Sequence, residues 1–272
     1  LRQSEAVFDH TRQLPELTEA CFSAFGKTGL AAVGASVRPR DAEGSYMPCF
    51  LVGACAARAV AASAGVPFYA FSHQVGHIGA ALYSTGRLDL VHKPFICFHF
   101  SGGTTECLFV SPGGEQVFEV KRIAGSLDLK AGQAVDRVGR MLGLRFPAGE
   151  ALSALAGQSD TEFRASPAVK GGDVSLSGVE NKCSAMLRQG VPAEEVARCC
   201  LEYICAAADY MTQYAMREYG ELPVVYAGGV MSSDYIRERL GKKYGGFFAA
   251  PEFSGDNAAG LAVLAALRGG VL

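Results

Sequence analysis

Two kinds of apolar run meet near residue 97, and their order decides what this chain can fold into. Before that point LAAVGASVRP reads as a buried strand, FLVGACAARAVAASAG as a small-residue helix stopped by Gly65, and VPFYAFS as a second strand. Strand, helix, strand is the pattern of a parallel βαβ unit, in which ligands gather at the carboxyl ends of strands. After that point PFICFHF, the turn SGGTT, ECLFV, the turn SPGGE and VFEVKRI read as strands joined by Gly-rich turns. Helices are predicted over residues 129–143, 150–157 and VPAEEVARCCLEYICAAADYMTQYAMREYG, the last with Pro192 in its first turn. LPVVYAGGV is then a strand entering a glycine turn, SSDYIRERLGKKYG a helix, FFAAP a short strand and DNAAGLAVLAALRGG a final helix. At the other end, residues 4–25 repeat apolar groups at the helical period with Ser4 as cap. RASPAVKGGDVSLSG, rich in Pro, Gly and Ser, is expected to be irregular or mobile.

Composition narrows the function classes. With 49% hydrophobic and 19% charged residues over 272 positions, the chain can bury a large core. Lys plus Arg number 25 against 27 Asp plus Glu, a formal charge of -2, so no broad basic surface awaits a polyphosphate. Nucleic-acid contact must be local or borrowed from a partner. Nine cysteines, an odd number without a CxxC pair, read as reduced core thiols and point to a reducing, cytoplasmic setting. No apolar stretch reaches about 18 residues, so no membrane span is expected. LRQSEAVFDH lacks a secretory pattern and begins without Met inside a capped helix, so a preceding segment is expected.

Several constellations carry chemistry. In HQVGHIGAALY, His73 and His77 stand at i and i+4, on one helix face, where two imidazoles reach one ion; helix capping and packing is the bland alternative. Asp256, in FSGDNAAGLAVLAAL, is either a helix cap or the carboxylate that completes a two-His-one-carboxylate set. Such a set leaves positions open and suits iron or zinc, with magnesium or manganese bound less tightly. In SGGTTE, Gly102 and Gly103 let backbone N–H groups face an anion while Ser101, Thr104 and Thr105 add hydroxyls; an ordinary hairpin turn is the alternative. Gly228 and Gly229 follow the strand LPVVY and precede a helix, a placement that suits a phosphate. Asp136 either meets a ribose or pairs with Arg140 one turn on, and Gly149 either permits close nucleotide approach or makes a turn.

Taken in order, LRQSEAVFDH, HQVGH, SGGTT, LDLKAGQAVDRVGRMLGLRFPAGEAL, DVSLSG, AGGVMSSDYIRERL and SGDNAAGLA resemble the TsaD family of threonylcarbamoyl transferases, formerly called O-sialoglycoprotein endopeptidases. The resemblance implies a two-lobed α/β fold of the actin-like ATPase (ASKHA, ribonuclease-H-like) kind. It implies an N-terminal lobe over 1–96, joined by the final helix 257–272, and a C-terminal nucleotide-binding lobe over 97–256, the lobes facing a cleft. It implies His73, His77 and Asp256 as metal ligands, and Ser101 to Thr105, Asp136, Gly149 and Ser233 as contacts to ATP or an acyl-adenylate. The implied reaction moves a threonylcarbamoyl group from its adenylate to a tRNA adenosine, with small partner proteins of the same pathway. The alternatives are a related enzyme acting on a small molecule and a noncatalytic subunit of a complex.

Departures from the family pattern are specific. Val75 replaces the acidic residue of HxEGH, Thr104 the His of SGGHT, Gln133 a Glu, Glu180 the Lys of SGLK and Ser233 the Asn of GGVxxN. The family's N-terminal strand hairpin has no counterpart in the sequence, and RPRDAEGSYMPC replaces its GPG-containing turn. These changes predict retained metal ligation and low activity on tRNA.

Overall fold

The computed structural model describes residues 2–25 and 29–272. In chain order its elements are α1 (Gln3–Phe25), β1 (Val33–Arg38), α2 (Cys49–Ala64), β2 (Phe68–Ser72), α3 (His73–Ser84), β3 (Phe95–Phe100), β4 (Thr105–Pro112), β5 (Phe118–Gly125), α4 (Ala131–Met141) and α5 (Gly149–Ala156). There follow β6 (Ala168–Lys170), β7 (Asp173–Ser175), α6 (Ser177–Arg188), α7 (Ala193–Tyr219), β8 (Val224–Ala227), α8 (Asp234–Tyr244), β9 (Phe247–Phe248), α9 (Pro251–Ser254) and α10 (Ala259–Arg268). They form two compact units, the first from Leu1–Tyr83, Gly113–Glu119 and Asp256–Leu272, the second from Ser84–Pro112 and Val120–Gly255. This is the α/β class in two units that the sequence implies.

In the first unit β1 and β2 pair in parallel, Val33 opposite Phe68, with α2 as the crossover. Gly65 stops that helix at φ 66 and returns its N–H to Ala61 and Ala62, the left-handed cap predicted from its position. Helix α3 then follows β2 without a loop. Helix α10 lies so close to β1 that a Cβ on Gly34 would stand 2.8 Å from the Leu261 carbonyl oxygen. The stripe on α1 is less buried than its period suggests. None of its described residues is fully buried, and Leu14 and Thr18 line an open groove with Leu51 and Val52 of α2.

The second unit is built on a five-stranded sheet in the order β5-β4-β3-β8-β9. β3 runs antiparallel to β4 and parallel to β8, so the hairpins and the crossover predicted from sequence share one sheet. Phe98, Tyr226 and Phe248 stack across three of its strands, with ring centroids 5.1 and 4.5 Å apart, and α4, α6 and α7 complete the core. All nine cysteines are free, and six of them are buried. Burial pushes the Cys97 thiol up to about 12, so it is a protonated apolar side chain.

The stretch expected to be irregular is so over residues 164–167, but its middle is an antiparallel hairpin, β6–β7, turning at Gly171 with φ 60. Its strands are three residues long, too short for a period-two signal. Helix α6, passed over in the sequence, buries Val179, Cys183 and Met186, a helical spacing masked by Gly and Asn at its start. Asp128 explains why α6 begins where it does. Its carboxylate accepts the N–H of Leu129 at 2.6 Å and of Leu176 at 2.7 Å, and reaches Ser177 N at 3.3 Å. Desolvation opposes the charge, but the bonds from Ser177, Leu176 and Leu129 outweigh it and hold the carboxyl below its ordinary value. Asp128→Ala should destabilise the second unit by about 1–2 kcal/mol, the cost of a lost cap. A depressed carboxyl contributes its stability above the unfolded carboxylate pKa and loses it as pH falls through the folded one. The difference between wild type and variant in denaturant melts should therefore shrink on acidification, and a constant difference would refute the assignment.

Candidate functional site

His73 opens α3 and His77 lies one turn on, so both rings leave the same face. Their Nε2 atoms stand 3.1 Å apart, and Asp256 Oδ1 lies 3.1 Å from the first and 3.2 Å from the second. Three donors on one face of a single ion lie about 3.0–3.4 Å apart when each bond is about 2.1 Å long. The spacing fits. These are the three described residues that converge as a possible metal set, with all ligand atoms within 4.8 Å. Hydrogen bonds from His73 and then His77 hold the Asp256 carboxyl well below the carboxylate range. His77 is mostly buried, at 12% exposure, while Asp256 is 83% exposed, so one side of the set faces solvent.

Packing explains how a carboxylate so distant in sequence arrives there. A Cβ on Gly260 would lie 1.9 Å from the Gly76 carbonyl oxygen and 2.5 Å from Ala80 N, and one on Gly79 would lie 3.0 Å from the Gly260 carbonyl oxygen. Helices α3 and α10 thus cross backbone to backbone, which sets Asp256, three residues before α10, opposite the histidines. The bland reading of Asp256 as a cap fails, because Asn257 Oδ1 takes the Ala259 N–H at 3.1 Å. The glycine contacts were missed in the sequence, where Gly76 and Gly79 at i and i+3 were the available signal.

In the second unit, the turns at Ser101 and Gly228 follow the carboxyl ends of β3 and β8, parallel neighbours in which His99 pairs with Ala227. Gly228 has φ 94, and a Cβ there would lie 2.3 Å from the Phe100 carbonyl oxygen. The Ser101 turn is a closed hairpin. Ser101 N–H donates to Thr104 O at 2.8 Å, and Ser101 Oγ accepts the Thr104 N–H at 3.1 Å. Thr105 Oγ1 accepts the Ala131 N–H at 2.7 Å, and Ser101 O the Gly132 N–H at 3.1 Å, so both anchor the N-terminus of α4. Gly102 and Gly103 line this turn, and a Cβ on Gly132 would lie 2.5 Å from Gly102 N. Gly229 begins the single turn of 3-10 helix that ends at Ser232.

Asp136 Oδ1 accepts the Ala148 N–H at 2.9 Å and fixes the approach to α5, which Gly149 opens. Ser233 Oγ and Ser153 Oγ lie 2.7 Å apart, joining α5 to the start of α8. Two of the altered positions also have internal partners. Glu180 accepts from Arg137 at 2.8 Å, and Gln133 Oε1 accepts the Lys130 N–H at 3.3 Å.

The family model described as TsaD, tRNA N6-adenosine threonylcarbamoyltransferase, matches residues 4–263. A protein of that name from Pyrobaculum neutrophilum is 31% identical over 264 residues, covering 95% of this chain and 75% of the relative. Another from Aromatoleum aromaticum is 30% identical, covering 96% and 77%. Among solved structures, T.kodakarensis HypF superposes with a TM-score of 0.62 at 16% identity over 94% of this chain and 42% of its own. A full-length HypF in its phosphate- and nucleotide-bound form gives 0.60 at 14% identity over 79% and 45%. This chain thus spans less than half of either HypF chain, and those likenesses bear on fold alone. With a family model matched over nearly its whole length and relatives of 30% identity or more, the chain belongs to the TsaD family of tRNA N6-adenosine threonylcarbamoyltransferases.

Proposed function

We propose that this protein transfers a threonylcarbamoyl group from an adenylate to the N6 amine of a tRNA adenosine, with a divalent metal ion at His73, His77 and Asp256. The convergence of three donors at 3.1–3.2 Å, in a member of this family, carries the reading. The ion, iron or zinc from the donor set, would orient and polarise the oxygens of the donor. The turns at Ser101 to Thr105 and at Gly228 and Gly229, with Asp136, Gly149 and Ser233, would bind the adenylate, or ATP in its place. In the transfer a C–N bond forms from the amine to the carbamoyl carbon, and the bond from that carbon to the adenylate oxygen breaks. AMP leaves, and the amine proton passes to solvent.

A second reading keeps the adenylate chemistry and changes the acceptor to a small molecule. Glu180 favours it, since its carboxylate is paired with Arg137 and would repel a phosphate drawn to a cation at that place. A noncatalytic role in a complex is the third. Incubating the full-length protein, alone and with its pathway's small partner proteins, with metal, threonylcarbamoyl adenylate and unmodified tRNA separates them. Nucleoside mass spectrometry should show the threonylcarbamoyl mass on adenosine. Adenylate consumed without modified tRNA would favour the second reading, and adenylate untouched the third.

A further inference from the structure

We propose that Gln116, at the tip of the β4–β5 hairpin, is a positioning residue for His73; the role rests on the metal reading of the His73, His77 and Asp256 set. The tip, Gly113–Glu119, belongs to the first unit although most of its two strands belong to the second. Gln116 is 5% exposed, and its side-chain oxygen accepts the N–H of Ser72 at 2.5 Å. Ser72 is fully buried and is the residue immediately before His73. The Ser72 Oγ in turn accepts the Val75 N–H at 3.3 Å, and Pro39 O accepts the Gln74 N–H at 3.0 Å. The first turn of α3 is therefore held from three sides, Gln116 reaching it from a distant hairpin.

The hairpin is bent to make this contact. Val117 sits at φ 76, a left-handed backbone that a β-branched side chain rarely adopts, while its carbonyl closes the turn on Gly113 N at 3.0 Å. Strain of this kind persists where the surroundings over-determine it. Here the surroundings are the buried amide and the strand end it binds. Removing the acceptor would leave the buried Ser72 N–H without this partner, and Ser72 would shift to find one. His73 would move with it, whereas His77, one turn on, is anchored by the glycine crossing with α10. Groups that orient a metal ligand in this way typically govern affinity by about ten- to a hundredfold.

Cobalt(II) titration of the full-length protein, read from its visible absorption, tests the role together with a thermal melt. Gln116→Met keeps the length and removes the acceptor. It should weaken cobalt binding by at least about tenfold and alter the spectrum. Gln116→Glu keeps an acceptor at the same reach, beside a helix N-terminus that favours an anion, and should restore both. Gln116→Met with unchanged affinity and spectrum overturns the proposal, as does Gln116→Glu behaving like Met. If the Met variant does not fold, Gln116→Asn, one methylene too short for Ser72, takes its place with the same expected result. Wild type that binds no cobalt refutes the metal reading itself and this role with it, an outcome distinct from a variant that binds normally.

Discussion

Gly260→Ala is expected to cost both the first unit's stability and its metal affinity, although the same substitution in an exposed helix would stabilise by about 0.5–1 kcal/mol. The new Cβ would lie 1.9 Å from the Gly76 carbonyl oxygen and 2.5 Å from Ala80 N, both backbone atoms that no rotamer change can move. Relieving the overlap requires α10 to retreat from α3 by more than an ångström. Overpacking of this kind costs about 1–3 kcal/mol and more where backbone must shift, so a net loss of about 2–3 kcal/mol is expected. Asp256 travels with α10, and a displacement of that size takes its carboxylate out of the coordination sphere of any ion held by the two histidines. Gly76→Ala supplies the control. Its Cβ would meet Leu261 Cδ2 at 3.0 Å, the far end of a flexible side chain, so it should cost well under half as much and leave metal binding intact. Differential scanning calorimetry and zinc titration of both variants would decide. Equal behaviour of the pair would show that the backbone crossing does not set the site.

How much of this was legible in the sequence depends on the range of the signal. The strand, helix, strand order before residue 72 and the long α7 rest on periodicity within one element, and both were found there. His73 and His77 were legible for the same reason, since i and i+4 share a face by helix geometry alone. Asp256 was legible as one of two alternatives, cap or third ligand, because its approach depends on the contact of Gly76 and Gly79 with Gly260, some 180 residues away in the chain. Asp128 and Gln116 were invisible for a related reason. Each is a polar side chain spent on backbone N–H groups of a distant segment, Leu176 in one case and Ser72 in the other. Asp136 is a third case: of the alternatives offered for it, the helical pair with Arg140 gives way to Ala148 N, a backbone donor in the next loop. The changed residue Glu180 likewise acquires a meaning only in three dimensions, where it faces Arg137.

Asp256→Ala should separate what Gly260→Ala confounds. Its side chain is 83% exposed, and Asn257 rather than Asp256 takes the first free N–H of α10, so the helix keeps its start. What the metal-free protein loses is its exposed contact with the two imidazoles, worth about 1 kcal/mol or less, and the melt without metal should stay within that range. Metal affinity is another matter. The two imidazoles are neutral donors when they bind an ion, and the carboxylate is the only anion within reach of both Nε2 atoms in the described set. At the proposed metal site, losing it would remove one of three ligands and the charge that offsets the cation, a larger loss than the ten- to hundredfold typical of an outer partner. A fall of at least about a hundredfold in zinc or cobalt affinity is therefore expected, with transfer to tRNA lost in parallel. Asp256→Asn, which keeps an oxygen in place without the charge, should fall between wild type and Ala. A protein whose Ala variant binds metal as tightly as wild type would hold its ion elsewhere, and the contacts among His73, His77 and Asp256 would then be an ordinary surface ion pair, worth about 1 kcal/mol or less.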